Sequence, residues 1–165
     1  HAFLTCVSRA IGVISCHLPD AGGARNVRTV PYLVFHGNCE EALEFYRAGL
    51  GGEVTIMRFS EMPPSEEMPI SGAWKEKIMH AELKLDEGQT IYLSDMFDGG
   101  SVTVGDNVTV HIDVDTKEDV SRFFEALSDG ATVTMPVEEQ FWGAVYGSLI
   151  DKFGIGWGFH YDIPQ

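Results

Sequence analysis

Positive charge is scarce in this chain. Lys and Arg together number 11 against 25 Asp and Glu, a formal net charge of −14. A duplex or an acidic membrane surface repels such a body, and no local basic patch offsets it, so neither nucleic acid nor membrane is expected as a partner. Cysteine is sparse too. The three, Cys6, Cys16 and Cys39, are an odd count that makes no disulfide framework and points to a reducing, cytoplasmic compartment. Cys6 and Cys16 lie near His1 and His17, but their spacing matches no compact zinc motif. Long apolar runs are also missing. The stretch Phe3 to Cys16 contains Arg9 and is too short to span a bilayer.

What is present is ordinary globular composition. Hydrophobic residues make up 44% and charged residues 22% of 165, enough for one domain or two half-domains sharing a core. Residues 1–29 stand apart: Arg9, Arg25 and Arg28 face only Asp20, a local charge of +2 against −16 for the remainder. We read this stretch as a poorly ordered extension ending at the turn cluster Pro19 to Gly23, in preference to a weak signal or transit segment.

An internal repeat organises the rest. Glu40 to Tyr46 compares with Glu118 to Phe124, and the same offset of 78 places Ala48 on Ala126 and Gly52 on Gly130. Both stretches have the periodicity of amphipathic helices with an aromatic pair on the buried side, each followed by a glycine and a β-branched run. The first unit, 30–95, reads as strand Val30 to Phe35, helix Cys39 to Ala48, and strands Glu53 to Phe59, Lys77 to Leu85 and Gln89 to Ser94. After a connecting loop at 96–107, the second unit, 108–165, reads as strand Val108 to Val114, helix Lys117 to Leu127, and strands Thr132 to Val137, Ala144 to Ile150 and Gly156 to Tyr161. Asn38 and Asp115 or Thr116 are placed to cap the helices, and Asp86 to Gly88 supplies a hairpin turn. Two long connections, Ser60 to Glu76 and Met96 to Asn107, invite a binding role, the first because it carries Met62, Met68, Ile70 and Trp74.

Pro31 to Cys39 running into Phe45 and Tyr46, then Leu50 to Glu53, His80 to Leu83, Tyr92 to Asp95, Phe141 to Gly147 and Asp151 to Trp157 form a pattern over Val30 to about Asp162. It resembles the PhnB-like branch of the vicinal oxygen chelate (glyoxalase/bleomycin-resistance/dioxygenase) superfamily. The resemblance implies an α+β fold of two tandem β-α-β-β-β modules whose curved mixed sheets surround a central cavity, commonly as a homodimer. Some relatives carry a methyltransferase label tied to demethylated ubiquinone. The sequence holds no glycine-rich nucleotide loop with an acidic partner of the kind a Rossmann-type methyltransferase shows.

Metal-using members of the superfamily hold one divalent ion on His or Glu at equivalent strand positions, where it acts as a Lewis acid. Carried onto this chain, those positions fall at Pro31, near Val108 and near Gly158, none of which offers a donor side chain. Strand alternation supplies other groups. His80, Glu82 and Lys84 share one face, and His111 shares a face with Thr109 and Asp113, so His80, Glu82 and His111 could converge on a metal or form a polar pocket wall without one. The metal-free wall is the preferred reading. His80 or Glu82 would then serve as general base, and Tyr92, His111, Trp142, Tyr146 and Trp74 would line the ligand site. Asp151 is expected to be structural, in a turn, and Cys39 to pack at a helix start.

Three functions remain open on the sequence. The first is a cavity that binds a small organic molecule, with or without a lyase, isomerase or dioxygenase-type step. The second is a non-catalytic protein that sequesters an apolar or aromatic compound. The third is a metal-dependent enzyme using His80, Glu82 and His111.

Overall fold

The structure is a computed structural model that describes residues 28–63, 70, 72–86, 88–97 and 100–164. The expectations for residues 1–27 and for Pro64, Met68 and Pro69 lie outside the described residues. Among these residues eight strands and two α-helices follow in the order expected: β1 (Tyr32–Phe35), α1 (Cys39–Leu50), β2 (Glu53–Arg58), β3 (Ile78–Asp86), β4 (Gln89–Asp95), β5 (Thr109–Asp113), α2 (Lys117–Ala126), β6 (Thr132–Gln140), β7 (Ala144–Ile150) and β8 (Gly156–Asp162). A 3-10 turn, Phe59–Glu61, follows β2 and takes Phe59, the residue expected to end that strand.

Each unit makes a four-stranded mixed sheet with the same topology, β1-β4-β3-β2 and β5-β8-β7-β6. The first strand of each unit pairs parallel with its last, and the other pairings are antiparallel. Crossing from an edge strand to the far strand through a helix places that helix on one sheet face. There α1 covers Ala81, Leu83, Ile91 and Leu93, all buried. The other face of each sheet is open.

The two units share one core. Leu43 and Tyr46 of α1 pack with Trp157 and Phe159 of β8, and Phe153 fits edge-on against Phe35 and Phe45. Gly49 shows how close the helices come: a Cβ there would sit 2.9 Å from Leu127. At the centre lies Asp151, buried in the turn before β8. Its carboxylate accepts from the Tyr46 hydroxyl at 2.6 Å, the Trp157 indole N–H at 2.8 Å and the backbone N–H groups of Phe153 and Ile155. A buried carboxylate must be saturated with donors to be tolerated, and four meet here, one from the opposite module. Burial and the neighbouring Asp151 charge push the Tyr46 phenol far above its ordinary value, so it remains a donor.

The helix starts differ from expectation at one point. Thr116 caps α2, its hydroxyl accepting from Asp119 N–H at 3.2 Å. Asn38 makes no side-chain cap for α1. Asp95, at the end of β4, does that work from a distance, accepting from the N–H groups of Gly37, Cys39 and Ile78. Cys39 is fully buried beside it. Desolvation, then the Asp95 and Glu40 charges, hold its thiol protonated well above the usual range.

Candidate functional site

Alternation along β3 turns Ala81 and Leu83 toward α1 and leaves His80, Glu82 and Lys84 on the open face. Register carries this face across the sheet: Met57 lies opposite His80, Glu82 opposite Tyr92, and Tyr92 beside Tyr32. The result is an aromatic cluster with one imidazole at its centre. The His80 ring lies 5.0 Å from Tyr92 and 5.7 Å from Tyr32, centroid to centroid. Both its nitrogens face polar atoms: Nδ1 is 3.1 Å from the Tyr32 hydroxyl, and Nε2 is 3.6 Å from a Glu82 carboxylate oxygen.

The open face of the second sheet carries a related group. His111 on β5 pairs in register with Gly158, which lies opposite Ser148 on β7. The His111 and Tyr146 rings stack at 5.8 Å with 24° between planes. Gly158 makes this possible, because a Cβ there would come within 2.9 Å of the imidazole and 3.0 Å of the Tyr146 hydroxyl. Trp142 extends the stripe, 6.5 Å from Tyr146 and half exposed, and Phe141 packs edge-on against it at 4.9 Å with 97% of its surface exposed. A second histidine, His160, sits between Asp113 at 3.1 Å and Asp162 at 3.5 Å.

The expected site residues thus fall into three groups. His80, Glu82 and Tyr92 are together on the first sheet, and His111, Tyr146 and Trp142 are together on the second. Trp74 lies elsewhere, against His36 at 5.9 Å and Phe59 at 6.5 Å, with Phe97 completing that cluster from the loop after β4. No hydrogen bond, ion pair or ring contact among the described residues joins His111 to His80 or Glu82. A cleft of about 590 Å³ does open between the modules, with Leu50 and Ile91 on one wall and Val110, His111 and Phe123 on the other.

Two residues of these groups escaped the sequence reading. Tyr32 stands in a four-residue strand whose alternation with Leu33 and Phe35 marks it as open-facing, but nothing in sequence links it to His80, 48 positions away. His160 follows the same logic on β8, alternating with buried Phe159.

The superfamily's metal can be tested against these side chains. Pro31 offers no donor, and the space beside Gly158 is filled by the His111 imidazole and the Tyr146 phenol. Among the described residues no three His, Cys, Asp or Glu gather closely enough to hold an ion. The donors among the described residues do not fit that metal.

Comparison with known proteins agrees with the fold. The family model for 3-demethylubiquinone-9 3-methyltransferase matches residues 27–159. Protein YjdN of Escherichia coli is 32% identical over 134 residues, covering 77% of this chain and 90% of that protein. The crystal structure of PA1353 from Pseudomonas aeruginosa superposes with a TM-score of 0.72 at 33% identity, over 84% of this chain and 99% of that one. A glyoxalase/bleomycin resistance protein/dioxygenase family enzyme from Burkholderia phytofirmans shares the fold at a TM-score of 0.55 and 18% identity, over 80% and 97% of the two chains. No helix among the described residues is long and apolar enough to cross a membrane. The chain belongs to the family described as 3-demethylubiquinone-9 3-methyltransferase, and its fold is that of the glyoxalase/bleomycin-resistance proteins.

Proposed function

We propose that this protein binds a small organic molecule against the open faces of its sheets, without a bound metal, and that His80 and Glu82 form the acid–base pair of the site. The observation that carries the reading is the contrast between faces. The helix-covered sides are closed, with Leu83, Leu93, Trp157 and Phe159 fully buried, while the open sides place half-exposed Tyr32 and Trp142 beside His80, Tyr92, His111 and Tyr146. Aromatic walls with a few convergent polar groups suit a flat or apolar ligand that needs orienting. An imidazole between a phenol and a carboxylate has the makings of a proton-transfer group.

The working unit of this proposal is a homodimer. Met57 and Met135 are exposed along with Tyr32, Phe141 and Trp142, more apolar surface on two open sheets than an isolated chain gains from showing. A second copy laid over these faces would enclose the aromatic clusters. Analytical ultracentrifugation at micromolar concentration should give twice the 18.2 kDa chain mass; a monomer at that concentration would remove the dimer from the proposal.

The site itself is tested by metal analysis and ligand screening together. Ligand affinity read by tryptophan fluorescence should survive dialysis against chelator. Stoichiometric zinc, manganese, iron or nickel, lost with chelator together with ligand affinity and restored on add-back, would replace this reading with a metal-dependent one. A second reading, sequestration without chemistry, is favoured by exposed Phe141 and Trp142. It requires that Trp142→Ala abolish affinity while His80→Ala leave it intact.

A further inference from the structure

Resting on that reading, we infer that the Tyr32 hydroxyl oxygen is the ligand-contacting atom of the first-sheet cluster. His80 and Glu82 position it as a hydrogen-bond acceptor, and the site takes small aromatic molecules carrying an O–H or N–H donor. A Glu82 carboxylate oxygen lies 3.6 Å from Nε2, too long for a hydrogen bond, but negative charge on that side favours the neutral tautomer whose hydrogen is on Nε2. Nδ1 is then a bare acceptor. Among the described residues, the hydrogen within its reach is that of the Tyr32 hydroxyl, 3.1 Å away. The phenol donates inward, and its oxygen keeps its lone pairs for whatever lies outside.

The surroundings agree with an acceptor. Tyr32 is 49% exposed, so its oxygen is reachable, and Tyr92 stands edge-on at 5.9 Å to hold its ring. Met57 opposite His80 and Thr55 opposite Glu82 bring no charge. Lys84, further along the face, lies opposite Glu53, and among the described residues Glu82 is the charged group in contact with the cluster, 3.6 Å from His80. A ligand arriving at Tyr32 therefore meets an oxygen acceptor, a carboxylate and aromatic rings. That combination rewards a donor hydrogen and penalises a second acceptor or an anion. Tyr32 is the contact, and the proposed His80–Glu82 pair acts on the ligand through it, by holding and orienting its hydroxyl.

Four probes of similar size decide the matter at about pH 8, above the usual imidazole range: phenol, benzylamine, anisole and benzoate. Dissociation constants come from ligand-detected NMR, and protein shift changes at Tyr92 report the place of binding. Phenol and benzylamine should bind about tenfold more tightly than anisole, on the order of one hydrogen bond, with benzoate weakest. Comparing phenol with benzylamine decides between hydroxyl and ammonium as the preferred donor. Tyr32→Phe keeps the ring and should bring phenol and anisole within about twofold of one another. His80→Leu should shrink the preference as well, while His80→Gln, which retains an acceptor, should restore part of it.

Equal binding of phenol and anisole, preferential binding of benzoate, or an undiminished preference in Tyr32→Phe would each overturn the inference. If probes bind at Tyr92 with no preference for a donor, the binding site stands and this assignment alone fails. If no probe shifts Tyr92, both fail.

Discussion

The two modules have the same strand order, yet they distribute the same chemistry in opposite ways. On the first sheet the edge strand β1 contributes a tyrosine, Tyr32, and the interior strand β3 a histidine, His80. On the second the edge strand β5 contributes His111 and the interior strand β7 Tyr146. Under the first pair lies Tyr92; at the matching register under the second lies Gly158. A ring beneath props the first pair up around a hydrogen bond, whereas an absent side chain lets the second pair lie down and stack. The ion pairs that tie each helix start to its outer strand are exchanged as well. Glu40 of α1 holds Arg58 at the end of β2 at 2.6 Å, and Lys117 of α2 holds Glu139 of β6 at 2.6 Å. A duplicated backbone fixes where contacts are needed and leaves open which side supplies which partner.

The sharpest way to break the comparison is at the residue the modules share. Asp151→Ala leaves the buried Tyr46 hydroxyl and Trp157 indole N–H without an acceptor, at a cost of about 3–5 kcal/mol. Asp95→Ala removes the acceptor of the Gly37, Cys39 and Ile78 N–H groups, all within the first module, and should cost about 2–3 kcal/mol. Urea unfolding followed by both circular dichroism and tryptophan fluorescence measures each. Asp151→Ala should separate the two signals and Asp95→Ala should not. Coincident transitions in both variants would mean that the shared core holds the modules together without the carboxylate.

Gly158→Ala tests the floor of the second pair. The new methyl group must displace His111 or Tyr146, both at their free ends, so the expected stability loss is only about 1 kcal/mol. The ring stacking should vanish from their NMR shifts while those of Tyr32 and His80 stay put. A smaller effect still is expected of the exchanged ion pairs. Glu40→Gln should cost less than about 1 kcal/mol, because the pair is half exposed and screened, and Lys117→Gln less again. The hydrogen bond from Arg58 holds the Glu40 carboxyl below its ordinary value. Its contribution is therefore complete above the ordinary carboxylate range and fades as pH falls through the lowered value. Wild type and Glu40→Gln should converge in stability in acid, and divergence there would show the sign to be wrong.

Much of this architecture could be read from residues. The aromatic pairs Phe45 with Tyr46 and Phe123 with Phe124, at one spacing from Gly52 and Gly130, revealed both helices and hence the repeat. Alternation placed His80 with Glu82, and His111 with Thr109 and Asp113, on their open faces. It failed where register decides, because period-two alternation says which face a residue takes and nothing of which strand lies next to it. Tyr32 beside His80 depends on β1 joining β4 and β4 joining β3, two long-range pairings. Trp74 looked like a lid residue by its company of Met62 and Ile70, but its ring packs on His36 and Phe59, since a tryptophan in a connection gains more from an aromatic ledge nearby than from reaching across a sheet. Asn38 looked like a cap until Asp95 arrived from the end of the module to take its place.

The hydrogen bond from Tyr46 to Asp151 spans 105 positions, and that distance has a meaning in time as well as in space. During synthesis the first module has all its own strands once Asp95 has been added, but the phenol at the heart of its helix then has no acceptor and Trp157 does not yet exist to cover it. The half made first must wait, incompletely packed, for the last turn of the half made second. Contacts of such long range slow folding, and here they make the C-terminal turn the step that completes the N-terminal helix.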